Sequence, residues 1–228
     1  MLLLPLLTAL VPFHAPSSTG LPELPAPKAS ITIAADAKLI EVLGALADQT
    51  GQALVVDRDT RALLETSETG LLRDTKVPAE LAWTYVESLL AFHGAICSFE
   101  VREAPTLVAV RSRAGQRTPA SAPVPLFADV AQLAWFERHP AFLGRVSLEL
   151  PNTDVRQLVN SLRAVQSQNS AYDTLINAGQ ANAIVITGSG AQIAQTVELL
   201  QLVDRQGKAA AGAAVAPQGT PAAAEGAK

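Results

Sequence analysis

One thiol, three imidazoles and a few closely spaced carboxylates are the side chains of this sequence that could carry chemistry. A nucleophile needs a base within hydrogen-bond reach, and a metal needs several ligands converging on one point. His14, His93 and His139 lie in three separate segments, His139 just before a proline. His93 and Cys97 are four residues apart, but Gly94 ends the helix between them, so they do not share a helical face. Cys97 alternates with Phe99 and Val101, the pattern of a small buried hydrophobe on a strand. Asp57 and Asp59 flank Arg58 after an apolar run and could pair as carboxylates or hold a cation. With no further ligand nearby, they read as a solvated turn. Gly188-Ser189-Gly190 falls at a strand-to-helix turn, where backbone amides can hold an anion. It lacks the phosphate-loop pattern and its lysine, so it reads as tight-turn geometry. The surrounding T-G-S-G-A does not match a nucleophile elbow around Ser189. Trp83 lies off the apolar stripe of its helix, and burial against the following hairpin outweighs exposure to a partner; Trp135 is assigned no contact. No catalytic, cofactor-binding or metal-ligating residue emerges.

The elements that would position these residues follow from periodicity. Residues 1–15, MLLLPLLTALVPFHA, form an apolar run of signal-peptide length and imply export. The run is too short to span a bilayer, which needs about 20 apolar residues, and no other segment could span. Residues 16–28 are a proline-rich tether. Ile31–Ile33 reads as a strand, and Asp36 offers a cap for a helix with Leu39, Val42, Leu43, Leu46 and Ala47 on one face, ending at Gly51. Ala53–Val56 reads as a buried strand. A helix opening at Pro78 carries Ala82, Tyr85, Val86, Leu89 and Leu90, and a hairpin over 96–101 and 106–110 follows. Residues 114–144 read as a linker containing a short helix over 128–136. Val146–Leu150 alternates as a strand, and Thr153 can cap a helix with Val155, Leu158, Val159 and Leu162 inward. Strands near 173–176 and 183–187, joined by a turn at 177–182, lead to a helix with Ile193, Thr196, Val197, Leu200 and Val203 inward. Residues 207–228 read as a disordered Ala/Gly/Pro tail. The fold class is α+β. It comprises a βαββαββ-like module at 29–113 and a βαββα module at 145–206, each a short sheet packed by two helices.

Seventeen basic and 21 acidic side chains give a net charge of −4 with no basic stripe, which argues against nucleic acid. A single cysteine leaves no internal disulfide and does not report the compartment.

The first module, ITIAADAKLIEVLGALADQTGQALVVD through VPAELAWTYVESLLAFHGAICSFEV, resembles the small domain shared by the N-termini of secretins and TonB-dependent receptors. The second, VSLELPNTDVRQLVNSLRAV with NAIVITGSGAQIAQTVELLQLVD, is similar to the ring-forming, KH-like N-domain of secretins. Its clearest mark is Asn182–Gly188 running into a helix that ends Leu-Val-Asp. The order is that of secretins, while the pore domain has no counterpart here and a neutral NAGQ stands where the family commonly has a charged turn. The resemblance implies a non-enzymatic, periplasmic assembly protein, with outer-membrane association as a further expectation, in machinery of the type II secretion or type IV pilus kind. Its implied partners are copies of itself, a secretin pore or inner-membrane platform proteins, with no cofactor and no small-molecule substrate. Docking surfaces are expected on the helix Asp154–Val165 and on the strand Ala183–Thr187. The alternative is a signalling domain of the TonB-dependent transducer kind, against which the second module argues. RNA binding, suggested by the KH-like fold, lacks a Gly-x-x-Gly loop.

Overall fold

The computed structural model describes residues 20–113, 123–165, 173–179 and 182–214. The signal run 1–15, tether residues 16–19, linker residues 114–122 and tail residues 215–228 lie outside the described residues. The fold is α+β.

The first half runs β1 (Ile31–Ile33), α1 (Leu39–Thr50), β2 (Ala53–Val56), α2 (Arg58–Thr66), β3 (Thr75–Val77), α3 (Ala82–Phe92), β4 (Ala95–Val101) and β5 (Leu107–Ser112). β1 pairs antiparallel with β3, and a separate three-stranded sheet has the order β2-β5-β4, with β2 parallel to β5. The stripe of α1 buries Leu39, Val42, Leu43 and Leu46 as its spacing demands. Gly51 closes the helix at φ 72°, its amide bonded to the Ala47 carbonyl at 2.7 Å. The start differs from expectation: Lys38, not Asp36, is the N-cap, and the Glu41 carboxylate accepts its amide at 3.2 Å.

The solvated turn expected at Asp57–Asp59 is instead the start of helix α2. Asp57 is its N-cap, accepting from the amides of Asp59 and Thr60 and, at 2.6 Å, from the Thr60 hydroxyl. The two aspartates are thus a cap and a first-turn acid, both favourable at the positive end of a helix. Only Thr60 and Leu64 of α2 are buried, too sparse an apolar stripe to register as periodicity. The first half therefore has three helices rather than two.

The second half runs β6 (Leu126–Ala128), α4 (Leu133–Arg138), β7 (Leu143–Glu149), α5 (Val155–Val165), β8 (Thr174–Asn177), β9 (Ala183–Ser189) and α6 (Gly190–Ala214). Its sheet has the order β6-β7-β9-β8, with β6 parallel to β7 and the other pairs antiparallel. The expected β-α-β-β-α succession is present from β7 to α6. The described part of the expected linker, 123–144, contains the short helix expected there, as a 3-10 turn at Val130–Gln132 running into α4, and it adds β6 and the start of β7. Short elements held by tertiary contacts leave little periodicity to read.

Asp154, not Thr153, caps α5 by accepting from the Arg156 and Gln157 amides. The Thr153 hydroxyl donates instead to Asp204 of α6, as do the backbone and side-chain amides of Asn152. The Leu-Val-Asp close of the second module is thus a latch between α6 and the β7–α5 loop. Desolvation opposes the charge of Asp204, but the bonds from Asn152 and Thr153, with Lys208 nearby, hold its carboxyl below the ordinary range. α6 continues through the expected tail as far as Ala214, because an alanine-rich stretch propagates a helix already docked on a core.

Candidate functional site at the junction of the two halves

Residues that looked unconnected in sequence converge where the halves meet. The buried face of α3 is Ala82, Trp83, Val86, Glu87 and Leu90, a stripe turned from the expected one and containing a glutamate. Glu87 is fully buried, and its Oε1 lies 2.8 Å from Nδ1 of His139, which is 8% exposed. Its Oε2 accepts the Ala141 amide at 3.3 Å. Burial pushes the Glu87 carboxyl up, partly offset by His139 and the Ala141 amide. His139, read as a connector residue, is therefore one side of a buried polar pair. The readable signal was Glu87 four residues after Trp83, on the same face of α3.

Around this pair the backbones join. The Cys97 amide on β4 donates to the Ala141 carbonyl at 2.9 Å, and Cys97 bridges in parallel to Phe142 just before β7. The Thr84 hydroxyl donates to the Arg138 carbonyl at the end of α4 at 2.7 Å. An aromatic group fills the seam. The ring centroids of Phe99 and Phe142 are 4.9 Å apart, those of Trp135 and His139 4.3 Å, and those of Trp135 and Phe142 5.3 Å. Burying one such phenylalanine ring contributes about 1.5–3 kcal/mol. β4 is consequently buried from Ala95 to Phe99 without a break, so the alternation expected over Cys97, Phe99 and Val101 does not appear in its burial, and Val101 is exposed. At the far side of the seam, Arg113 pairs with Asp173 at 2.8 Å, and the Gln192 amide donates to Asp173 at 2.7 Å.

The other sequence candidates take structural places. Cys97 is 2% exposed, and burial, with Glu87 adding, pushes its thiol well above the ordinary range, the opposite of an activated nucleophile. His93 follows α3 as its C-cap, with Nε2 3.4 Å from the Thr69 carbonyl. Gly188 and Ser189 end β9, and Gly190 starts α6. The Gly190 amide bonds the Phe142 carbonyl and the Ala191 amide the Pro140 carbonyl, so these donors serve the fold. Gly190 is required by proximity: a Cβ there would lie 2.2 Å from the His139 carbonyl oxygen. Trp83 is buried, as expected, and so is Trp135, whose ring lies 6.4 Å from that of Phe99 on β4; their indole nitrogens donate to the carbonyls of Pro25 and Pro22.

What faces outward is the second sheet. α5 and α6 pack on one face of it. The opposite face carries exposed Phe127 and Ile176, with Arg145 over the Phe127 ring at 5.3 Å and bonded to Thr187. A shallow depression of about 480 Å³ lies there between Phe127, Arg145, Ser147 and Val185. The strand Ala183–Thr187, expected as a docking surface, is interior to the sheet: β9 is bonded to β7 on one side and β8 on the other, and the outer strands are β6 and β8. No helix of the described residues is long and apolar enough to cross a membrane, and among them no cluster of His, Cys, Asp or Glu could hold a metal ion.

The arrangement defines an α+β protein built of small sheets with helices, joined by a buried polar and aromatic seam. Solved structures with which the chain shares similarity include parts of type II secretion systems and the N-terminal domain of a secretin. One is the Klebsiella pneumoniae type II secretion system outer membrane complex, at 18% identity and TM-score 0.49, covering 74% of this chain and 26% of that one. Another is the N-terminal domain of the secretin XcpQ from Pseudomonas aeruginosa, at 16% identity and TM-score 0.25, covering 77% and 64%. A third is the enterotoxigenic Escherichia coli GspC–GspD complex, at 13% identity and TM-score 0.28, covering 77% and 99%. The chain thus spans about a quarter of the length of the Klebsiella protein. No family model and no curated protein matches its sequence.

Proposed function

We propose that this protein is a non-enzymatic, exported scaffolding component of a secretion assembly in the bacterial envelope, working in the periplasm through contacts with copies of itself or with a pore or platform protein. Support comes from the succession of the two sequence modules at 29–113 and 145–206, in the order that secretins use. The observation that carries the mode of action is the division of polar groups: Glu87, His139, Cys97 and the α6 amides are consumed in holding the halves together. The outward face of the second sheet presents Phe127, Ile176 and Arg145. Mixed apolar and cationic surface of that kind suits protein recognition. One small module offers limited area, and contacts well under about 1,000 Å² are weak, so association strengthens when a template aligns several copies.

In-cell crosslinking from single cysteines at Arg156 and Ile176, in a Cys97→Ser background, tests this. Crosslinks to itself or to an envelope protein are expected. Absence of both from a folded, exported protein would overturn the proposal.

A further inference from the structure

The two tryptophans belong to different halves, yet both reach the same short segment. Trp83 on α3 donates its indole N–H to the Pro25 carbonyl at 2.9 Å, and Trp135 on α4 donates to the Pro22 carbonyl at 3.1 Å. The segment between Leu21 and Pro27 reads Leu-Pro-Glu-Leu-Pro-Ala-Pro. Each proline fixes its own φ and pushes the residue before it to extended geometry, which presets a polyproline II strand. Such a strand has three residues per turn, a rise of about 3.1 Å per residue and no internal hydrogen bonds. Carbonyls three residues apart therefore face the same way, about 9 Å apart, and need outside donors. Two indoles reading one face of a Pro-x-x-Pro run is the chemistry by which proline-rich peptides are recognised. The side chains follow the same period. Leu21 and Leu24 pack against the core, Pro27 is buried, and Glu23, Pro25 and Ala26 are exposed. The segment does not fill its groove: a cleft of about 510 Å³ runs beside it, lined by Leu21, Leu24, Trp135 and His139.

We propose that Trp83 and Trp135 form a binding site for a proline-rich, polyproline II segment, filled in the single chain by its own Leu21–Pro27, which straps the two halves together. The occupant is the chain's own segment because it is tethered at the site: the Lys28 amide, one residue past Pro27, bonds the Gln49 carbonyl at the end of α1. A ligand tethered so closely has a high effective concentration. This inference stands apart from the scaffolding proposal, since it concerns what binds the indoles and not what meets the outer sheet.

The test uses the full chain and the labelled peptide LPELPAPK, with a scrambled peptide lacking the Pro-x-x-Pro spacing. In a Pro22→Gly, Pro25→Gly chain the strap loses its preset shape, and the peptide is expected to bind roughly tenfold tighter than to the wild type, read by anisotropy. Adding Trp83→Phe and Trp135→Phe to that chain should lose the gain. The wild type supplies a second measurement, independent of the glycine variant's folding: excess peptide should speed exchange of the Lys28 amide, which the docked strap holds on the Gln49 carbonyl. The proposal is overturned if exchange at that amide ignores millimolar peptide, if the scrambled peptide acts equally, or if the phenylalanine changes leave binding intact. A wild-type dimer in which the Lys28 amide loses protection on dilution to monomer would overturn occupancy by the same chain.

Discussion

Glu87 holds the most consequential single position in the molecule. It is a carboxyl inside an apolar seam, joined to His139 from the other half. Removing one member of a buried pair leaves the other unsatisfied, so His139→Ala should cost about 3 kcal/mol in urea unfolding, far more than a surface change. The pH dependence has a definite sign. The folded carboxyl titrates above its ordinary 4.5, so its contribution is fully present below that value and is lost as pH rises through the raised folded value. The stability of the wild type relative to Glu87→Gln should therefore fall as pH rises above the ordinary 4.5; a flat or rising difference would show that the seam keeps Glu87 charged at no cost. Cys97 gives a second reading at this scale. Because its thiol is buried and pushed up, alkylation in the native protein should be slow and limited by opening of the seam, and denaturant should release it.

Among the elements, α6 makes the tightest approaches to backbone. A Cβ on Gly190 would meet the His139 and Phe136 carbonyls at 2.2 and 2.7 Å, and one on Gly207 would meet the Asn152 carbonyl at 2.7 Å. Gly190→Ala should therefore destabilise by roughly 2 kcal/mol or more, since backbone cannot yield as a side chain can. Gly44, inside α1, meets nothing within 4 Å. Gly44→Ala should stabilise by about 0.5–1 kcal/mol through the lower entropy of the unfolded chain, and thermal melts of the two variants should move in opposite directions.

At the scale of the whole molecule, the buried residues of both halves belong to one hydrophobic cluster, running from Ile31 through Phe99 and Phe142 to Leu200. Although residues 29–113 and 145–206 read as separate modules, the seam commits them to each other. Proteolytic nicking within 114–122 should give two fragments that co-elute in native gel filtration and separate only in denaturant. Fragments that part under native conditions would show that the seam is too weak to hold the halves alone.

Local signals sufficed for α1, β7, α5 and α6, because each carries its own apolar stripe or alternation and some a cap such as Gly51, whereas Ala53–Val56 is a strand as expected but not a buried one, with Ala53 and Val55 exposed. They sufficed also for the α+β class and for the reading of Cys97 as a buried hydrophobe. α2 and β6 were not legible, since one buries only Thr60 and Leu64, and the other is three residues long and exists by pairing with β7. The Glu87–His139 pair spans 52 residues and the Trp135–Pro22 bond 113. Periodicity reports only neighbours along the chain, so the partners of a buried charge or an indole across such separations are decided by packing alone. For the same reason, sequence could identify Ala183–Thr187 as a strand but not as an inner one, because the order of strands in a sheet is a tertiary property.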